Sequence, residues 1–389
     1  MKIAQILILL FLASAALASR NEAGVNFLLI SPDARTNGMG ATGVTSIRGH
    51  CAFYNPGNVG LMAFEKTFAY SSTHSELYEL IFDKYSVDAY SITFAGNSEL
   101  FKLNLPFNAG LGIQYSNNRK SYHSLGSSME GKYSSYTTGA GVDYFLQLGL
   151  GFTYKNITGN GIYGEISAYD YGLTAQLPIC HTLKNTKLIH EVLPNPWDAE
   201  LTFAYGMSRS NNGADSIRYK DDSPSRPLPK SGRDGFSINF NSTYNDLDFI
   251  YLTYAREVEL DFVEVVKPPK PPGINSGFEL GLFDVFEYRA GRMYRYDYYY
   301  DKETGDTITV SYNTRGYTIR PTAALRIIYY EFLQSEYDSP IINFIIKNLD
   351  FSYIKSIYIA EDPEYNALGN TKFSQYELTF GTDFGMLYK

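Results

Sequence analysis

LQLGLGFTY, residues 146–154, alternates without a fault. Successive side chains of an extended chain point to opposite faces. Leu146, Leu148, Leu150, Phe152 and Tyr154 therefore share one face, opposite Gln147, Gly149, Gly151 and Thr153. The same rule runs through AELTFAYGMS (199–208), where Leu201, Phe203, Tyr205 and Met207 oppose Thr202, Ala204, Gly206 and Ser208. It holds in FSINFNSTYN (236–245) and in YTIRPTAALRI (317–327). In the last of these, Arg320 and Arg326 fall with Thr318, Thr322 and Ala324 on the polar side.

Period-2 segments of about ten residues, joined by polar turns, fit either a water-soluble sandwich or a barrel in lipid. The second face decides between them. A sandwich sends that face to water, where Lys and Glu are common. In this chain it is mostly Gly, Ser, Thr, Ala and Asn, with an occasional Arg. Such a face suits a crowded, wet lumen, while the Tyr, Phe and Leu face suits acyl chains and aromatic girdles. Composition agrees, with 35 Tyr and 25 Phe beside one Trp and 33 Gly. The reading is an all-β fold, a transmembrane antiparallel β-barrel.

Candidate strands cover 66–73, 88–97, 107–118, 131–143, 146–156, 164–178, 198–209, 235–245, 247–262, 277–292, 293–300 with 307–313, 316–330, 349–361 and 371–384. An even number is usual for a single-chain bacterial barrel, so the count predicts 14 strands. Arg320 and Arg326 are then candidate lumen-facing residues, packed with nearby acids. Three stretches read as loops: RYKDDSPSRPLPKSGRDG (218–235), stiff KPPKPPG (267–273) and the hairpin tip DKETGD (301–306). DSPIINFIIKNL (338–349) reads as a helix, with Ser339 at the N-cap and Pro340 at N1.

The chain opens MKIAQILILLFLASAALAS, with Lys2, an apolar run and then Ala16-Leu17-Ala18. This is the pattern of a secretory signal over residues 1–18. No later run is long enough for a spanning helix. A net charge of -8 argues against nucleic acid as a partner. Cys51 and Cys180 form no disulfide framework; one bridge or two free thiols both remain open. His50-Cys51 and Cys180-His181 lack zinc-ligand spacing. There is no G-x-S-x-G, H-E-x-x-H or C-x-x-C, so the chain reads as no enzyme and calls for no cofactor or metal.

NGMGATG (37–43) contains a literal G-x-G-x-x-G at Gly38, Gly40 and Gly43. That motif cradles phosphate only between a strand and a helix. Pro32 and Asp33 break any strand before it, and Gly and Pro interrupt the stretch that follows. Glycines that let backbone pack closely in a narrow space are the better reading. Asn55-Pro56-Gly57 is turn chemistry.

FLLISPDARTNGMGATGVTSIRGHCAFYNPGNVGLM (27–62) resembles the N-terminal signature of the PorV/PorQ family, a branch of the FadL-like outer-membrane proteins. Asp33, Ala34, Arg35, Gly38, Met39, Gly40, Gly43, Asn55, Pro56 and Gly57 carry the resemblance. The resemblance implies that residues from about 25 to 62, within an N-terminal segment 19–62, form a hatch folded into the lumen, with 63–389 as the barrel. It implies the outer membrane of a Gram-negative-type bacterium, with that membrane's lipid as a partner.

For function the resemblance implies two readings. In one, the protein is a type IX secretion system component that receives exported proteins by their C-terminal sorting domains and meets other secretion-system subunits. In the other, it is a FadL-like passive transporter of hydrophobic small molecules. The long loops and tyrosine-rich hairpin favour the first.

Overall fold

The computed structural model describes residues 26–381, except 79–83, 104, 125–126, 160–162, 186–196, 214–226, 245–246, 263–271, 296–309, 331–338 and 362–368. Residues 1–18, DKETGD, KPPKP of the proline stretch and 218–226 thus lie outside the described residues.

Fourteen strands form one closed antiparallel barrel in which each pairs with its neighbours in sequence and β1 closes on β14. They are β1 (Lys66–Tyr78), β2 (Lys84–Asn97), β3 (Asn108–Ser124), β4 (Ser127–Asp143), β5 (Gln147–Gly159), β6 (Tyr163–Pro178) and β7 (Trp197–Gly213). The second half holds β8 (Ser231–Tyr244), β9 (Leu247–Asp261), β10 (Gly273–Leu282), β11 (Phe286–Arg295), β12 (Val310–Ile319), β13 (Leu349–Ala360) and β14 (Lys372–Gly381). Closure leaves no strand edge unpaired, which is what hydrocarbon demands of backbone N–H and C=O groups.

The count matches the sequence expectation, yet three segments are cut differently. The candidate 277–292 is the body of two strands, β10 and β11, joined by a three-residue turn. Phe283 (φ 56°) and Asp284 (φ 54°) make that turn in the left-handed region, where neither Gly nor Asn advertises it. The candidate 293–300 with 307–313 supplies only the end of β11 and the start of β12. The candidate 316–330 is strand only to Ile319; Pro321 has no N–H for the ladder and instead sits at N1 of a helix. Residues 231–235, read as loop, begin β8.

Among the described residues six short helices accompany the barrel. Within the N-terminal segment are α1 (Ala34–Gly38), α2 (Cys51–Tyr54) and α3 (Gly57–Met62), preceded by a 3-10 turn at Asn26–Leu29. Between strands are α4 (Ile179–Asn185), α5 (Pro321–Ile328) and α6 (Pro340–Asn348). The sequence places α6 well. Pro340 is at N1, although Ser339 at the cap makes no side-chain bond. None of the described helices is long and apolar enough to cross a membrane.

The two faces meet different surroundings. Along β5 Gly149, Thr153, Lys155 and Ile157 are buried, while Leu148, Leu150 and Phe152 are exposed. Leu111, Ile113, Phe203, Leu252 and Phe278 continue the exposed apolar belt around the wall. Leu150, 62% exposed, is well inside that belt. Leu150→Arg is expected to cost ~2–4 kcal/mol at mid-bilayer depth and to abolish the fast-running, unheated band on a detergent gel. Leu150→Phe should assemble as wild type. Wild-type assembly of the Arg variant would mean that this face of β5 looks into the lumen and not into lipid.

The ends of the barrel are also distinct. Connections of two or three residues join β4 to β5, β8 to β9 and β10 to β11 at the end where β1 starts and β14 stops. The opposite end also has short connections, β3 to β4 and β5 to β6, but four of its connections exceed ten residues (214–230, 262–272, 296–309 and 361–371) against two at the first end (179–196 and 320–348). Outer-membrane barrels carry their longer loops mostly on the outside, so the second end, where such loops are more numerous, is taken as the outer one.

Candidate functional site

The site is the lumen and the chain that fills it. Residues from the Asn26–Leu29 turn through α3 pack against inward-facing residues of the strands: α1 on β11–β14, α3 on β2–β6. Small inward residues make this fit. Across β3, β4, β5 and β6 a register row reads Gly112, Gly139, Gly151, Gly172. A Cβ at Gly151 would overlap the Pro56 carbonyl, and one at Gly112 the Val59 carbonyl. On the opposite wall Gly277 faces Gly291 in register, with the Met39 carbonyl where a Gly277 Cβ would be. Glycine at these positions admits backbone against backbone, not a ligand.

Each residue of the N-terminal signature has a definite seat. Asp33 caps α1, its Oδ1 accepting from Arg35 N at 3.1 Å. Arg35 donates through Nε to Glu279 Oε2 at 3.0 Å and through Nη1 to Ser46 Oγ at 3.0 Å. Gly38 backs onto Gly316. Gly40 turns with φ 72°, and its N–H donates to Thr314 Oγ1 at 2.8 Å. Gly43 N and Val44 N both donate to Glu257 Oε2, at 2.8 and 3.0 Å. Asn55 Nδ2 donates to Val44 O (2.8 Å) and Thr174 Oγ1 (2.8 Å), tying α2 to the loop before it and to β6. Pro56 and Gly57 lie over Gly151 and Gly149. These residues are brought together as anchors. They do not converge on one pocket.

Their partners are the residues that sequence reading missed. Glu279, Glu287 and Arg289 are fully buried on the inward faces of β10 and β11. Glu279 pairs with both Arg35 and Arg289; Arg289 also pairs with Glu287 and donates to Thr318 Oγ1 at 2.7 Å. Glu287 in turn meets Arg48 at 3.5 Å and Arg320. A second group joins Arg233 to Glu257 and Glu259, each at 2.7 Å. Lys155 and Asp170 pair at 2.7 Å. A signal was present: Glu257-x-Glu259 and Glu287-x-Arg289 put charges at period-2 spacing on the lumen face.

Arg320 is the N-cap residue of α5, buried and paired with Asp284 and Glu287, with Asp350 at 3.5 Å. Arg326 lies on α5 and donates to Ile346 O at 3.1 Å. The two share no strand face, because the strand ends before them. Cys51 and Cys180 are unpaired, one buried among lumen residues and the other on α4.

Burial shapes the chemistry inside the segment. It pushes the Asp33 carboxyl up to about 6, against the pull of the Arg35 guanidinium. Burial likewise holds His50 neutral, down to about 3, with Nε2 3.1 Å from Thr73 Oγ1. Neither has the exposure or the neighbours of a working acid or base.

Above and below the anchors the lumen differs. Toward the outer end, inward Val87, Met293, Tyr312, Ile354, Tyr358 and Phe373 form one apolar cluster. Tyr133, Ile157, Ile166 and Leu228 form another around Leu28. Ile30 packs against both. Toward the inner end is a cavity of about 230 Å³ lined chiefly by polar groups, among them Arg35, Ser46, Arg48, Asn239 and Asp248.

A closed, even-stranded antiparallel barrel with an apolar outer belt and a lumen of small and polar residues is a β-barrel of the bacterial outer membrane. Its architecture is similar to that of a FadL homologue of Pseudomonas aeruginosa (10% identity, covering 91% of this chain and 99% of that one, TM-score 0.42). The same holds for the Ralstonia pickettii toluene transporter TbuX (10%, 90% and 97%, 0.33) and for the CymD monoaromatic hydrocarbon channel (8%, 91% and 97%, 0.39). No protein-family model matches the chain, and neither does any curated protein.

Proposed function

We propose that the protein is a passive conduit for hydrophobic small molecules across the outer membrane, with residues 19–62 as the hatch of its lumen. The observation that carries this reading is the pair of apolar clusters turned into the outer half of the lumen, beside polar groups such as Lys155, Asp170 and Asn275. Barrel interiors are ordinarily polar, because they hold water. In this barrel Met293, Tyr312, Ile354, Phe373 and Ile157 are turned inward, each at most 2% exposed, and Leu28 and Ile30 of the segment cover them. Apolar side chains facing both ways from one strand make sense where an apolar solute leaves water on the inside of the wall. The polar cavity at the inner end then receives the solute once the segment has moved.

The secretion-component reading rests on the long outer loops, most of which lie outside the described residues, and the described lumen adds nothing to it. One experiment separates the two. Cells lacking the protein should take up a labelled alkylbenzene or medium-chain fatty acid more slowly than complemented cells, with surface proteins unchanged. Complementation with Ile354→Asp, which puts a charge in the apolar cluster, should fail to restore uptake although the barrel assembles. Normal uptake together with loss of several surface-attached proteins would overturn the conduit and favour secretion.

A further inference from the structure

The outer wall carries a second feature, independent of what passes through the lumen. Outward-facing tyrosines form a row across the sheet: Tyr353 is in register with Tyr376, Tyr376 with Ser72, and Ser72 with Tyr90. Further round, Tyr115, Tyr136, Tyr154 and Tyr169 continue it from strand to strand. Neighbouring rings touch, with centroids 5.0 Å apart for Tyr353–Tyr376 and 5.2 Å for Tyr115–Tyr136. Such a girdle marks the depth at which hydrocarbon gives way to headgroups.

Just beyond the girdle, toward the outer end, the wall of β12, β13, β14 and β1 turns cationic. Lys355 is two residues past Tyr353, Arg315 two residues outward of Tyr317, and Lys372 four residues outward of Tyr376. All three point away from the lumen, and with His74, Tyr288 and Tyr317 they line one recess of about 430 Å³. Glu76 is the carboxylate on its rim, and His74 is engaged by Asp88 at 2.7 Å. Lys355 leans over the Tyr353 ring, its Nζ 5.8 Å from the centroid. Among the described residues no ion pair ties Arg315, Lys355 or Lys372 to a carboxylate.

Three cations converge on this lipid-facing recess with one carboxylate, Glu76, in register with Lys372 on its rim, so among the described residues the recess carries more positive than negative charge. A planar guanidinium matches phosphate oxygens in a two-pronged contact, and two ammonium groups add point charge. The tyrosine rings below offer a flat amphipathic floor for the glycerol or sugar and the start of the acyl chains. We propose that this recess binds the phosphate-bearing headgroup of an outer-leaflet lipid, held by Arg315, Lys355 and Lys372.

The test uses the full-length barrel extracted from its own membrane in mild detergent. Native mass spectrometry should find a phosphorylated lipid retained on the wild type. The Arg315→Gln/Lys355→Gln/Lys372→Gln variant, still folded by its unheated gel mobility, should retain about tenfold less. Added lipid A should compete with the retained lipid, and enzymatically dephosphorylated lipid A should not. Equal retention by wild type and variant overturns the site. Competition by inorganic phosphate as effective as that of lipid A would make it a site for free anion and overturn the lipid. Should the triple variant fail to fold, the wild-type competition alone decides: equal displacement by the dephosphorylated lipid overturns the proposal.

Discussion

Glu279→Gln is expected to lower the stability of the folded protein by ~3–5 kcal/mol, the usual cost of removing one partner from a buried ionic group. Glu279 stands between two guanidiniums, Arg35 of the N-terminal segment and Arg289 of the neighbouring strand. Its side chain and that of Arg289 are fully buried. After substitution Arg289 keeps Glu287 and Thr318, whereas the Arg35 guanidinium loses its carboxylate and is left with the neutral Ser46 hydroxyl. The Arg35 cation, largely buried beside the inner cavity, is then left without that carboxylate. Arg35→Gln should cost less, because Glu279 still has Arg289. The double variant Arg35→Gln/Glu279→Gln should recover part of the loss, since charge and counter-charge leave together. Urea titration in lipid vesicles, followed by the fluorescence of Trp197, the chain's only Trp, gives the three midpoints. Strict additivity of the two single variants would mean that the pair is not coupled.

What the sequence makes legible depends on where each piece of information resides. LQLGLGFTY is readable because its two faces meet different solvents, and the structure exposes Leu150 and encloses Gly149 accordingly. FELGLFDVFEYRA reads wrongly as one strand because alternation continues through its turn. Phe283 and Asp284 accept a left-handed backbone that neither residue prefers, and a tertiary contact holds them there. Phe283 N–H donates to Phe249 O at 2.8 Å, and the two rings meet edge to face at 4.9 Å. No local signal encodes that. In YTIRPTAALRI the proline is the better guide, and the period-2 pattern misleads past Ile319. The glycines of NGMGATG can be read as close-packing residues. Their partners cannot, since Arg35 and Glu279 stand 244 residues apart and meet only when the barrel has closed. Charges on the lumen face can be found by counting in twos; pairing them needs strand register and the path of the N-terminal segment.

Deleting residues 26–62 should convert a closed lumen into an open one. The segment supplies Leu28 and Ile30 to the outer apolar clusters, Met39 and Gly40 to the wall at Gly277 and Gly291, and Arg35 and Arg48 to the inner cavity. Its removal takes material from every level of the lumen at once. The barrel itself should survive. Glu279, Glu257 and Arg289 would face water instead of packed chain, so no charge is left largely buried without its partner, in contrast with Glu279→Gln. Planar-bilayer recordings should therefore show a large, steady conductance for the deletion variant, with its unheated gel mobility preserved. A graded intermediate comes from Gly277→Val, whose side chain would occupy the place of the Met39 carbonyl. The segment would then be held by its remaining anchors yet displaced from one wall, and brief openings are expected in place of steady current. A folded deletion variant that conducts no more than wild type would show that something other than this segment closes the lumen, and the hatch would have to be given up.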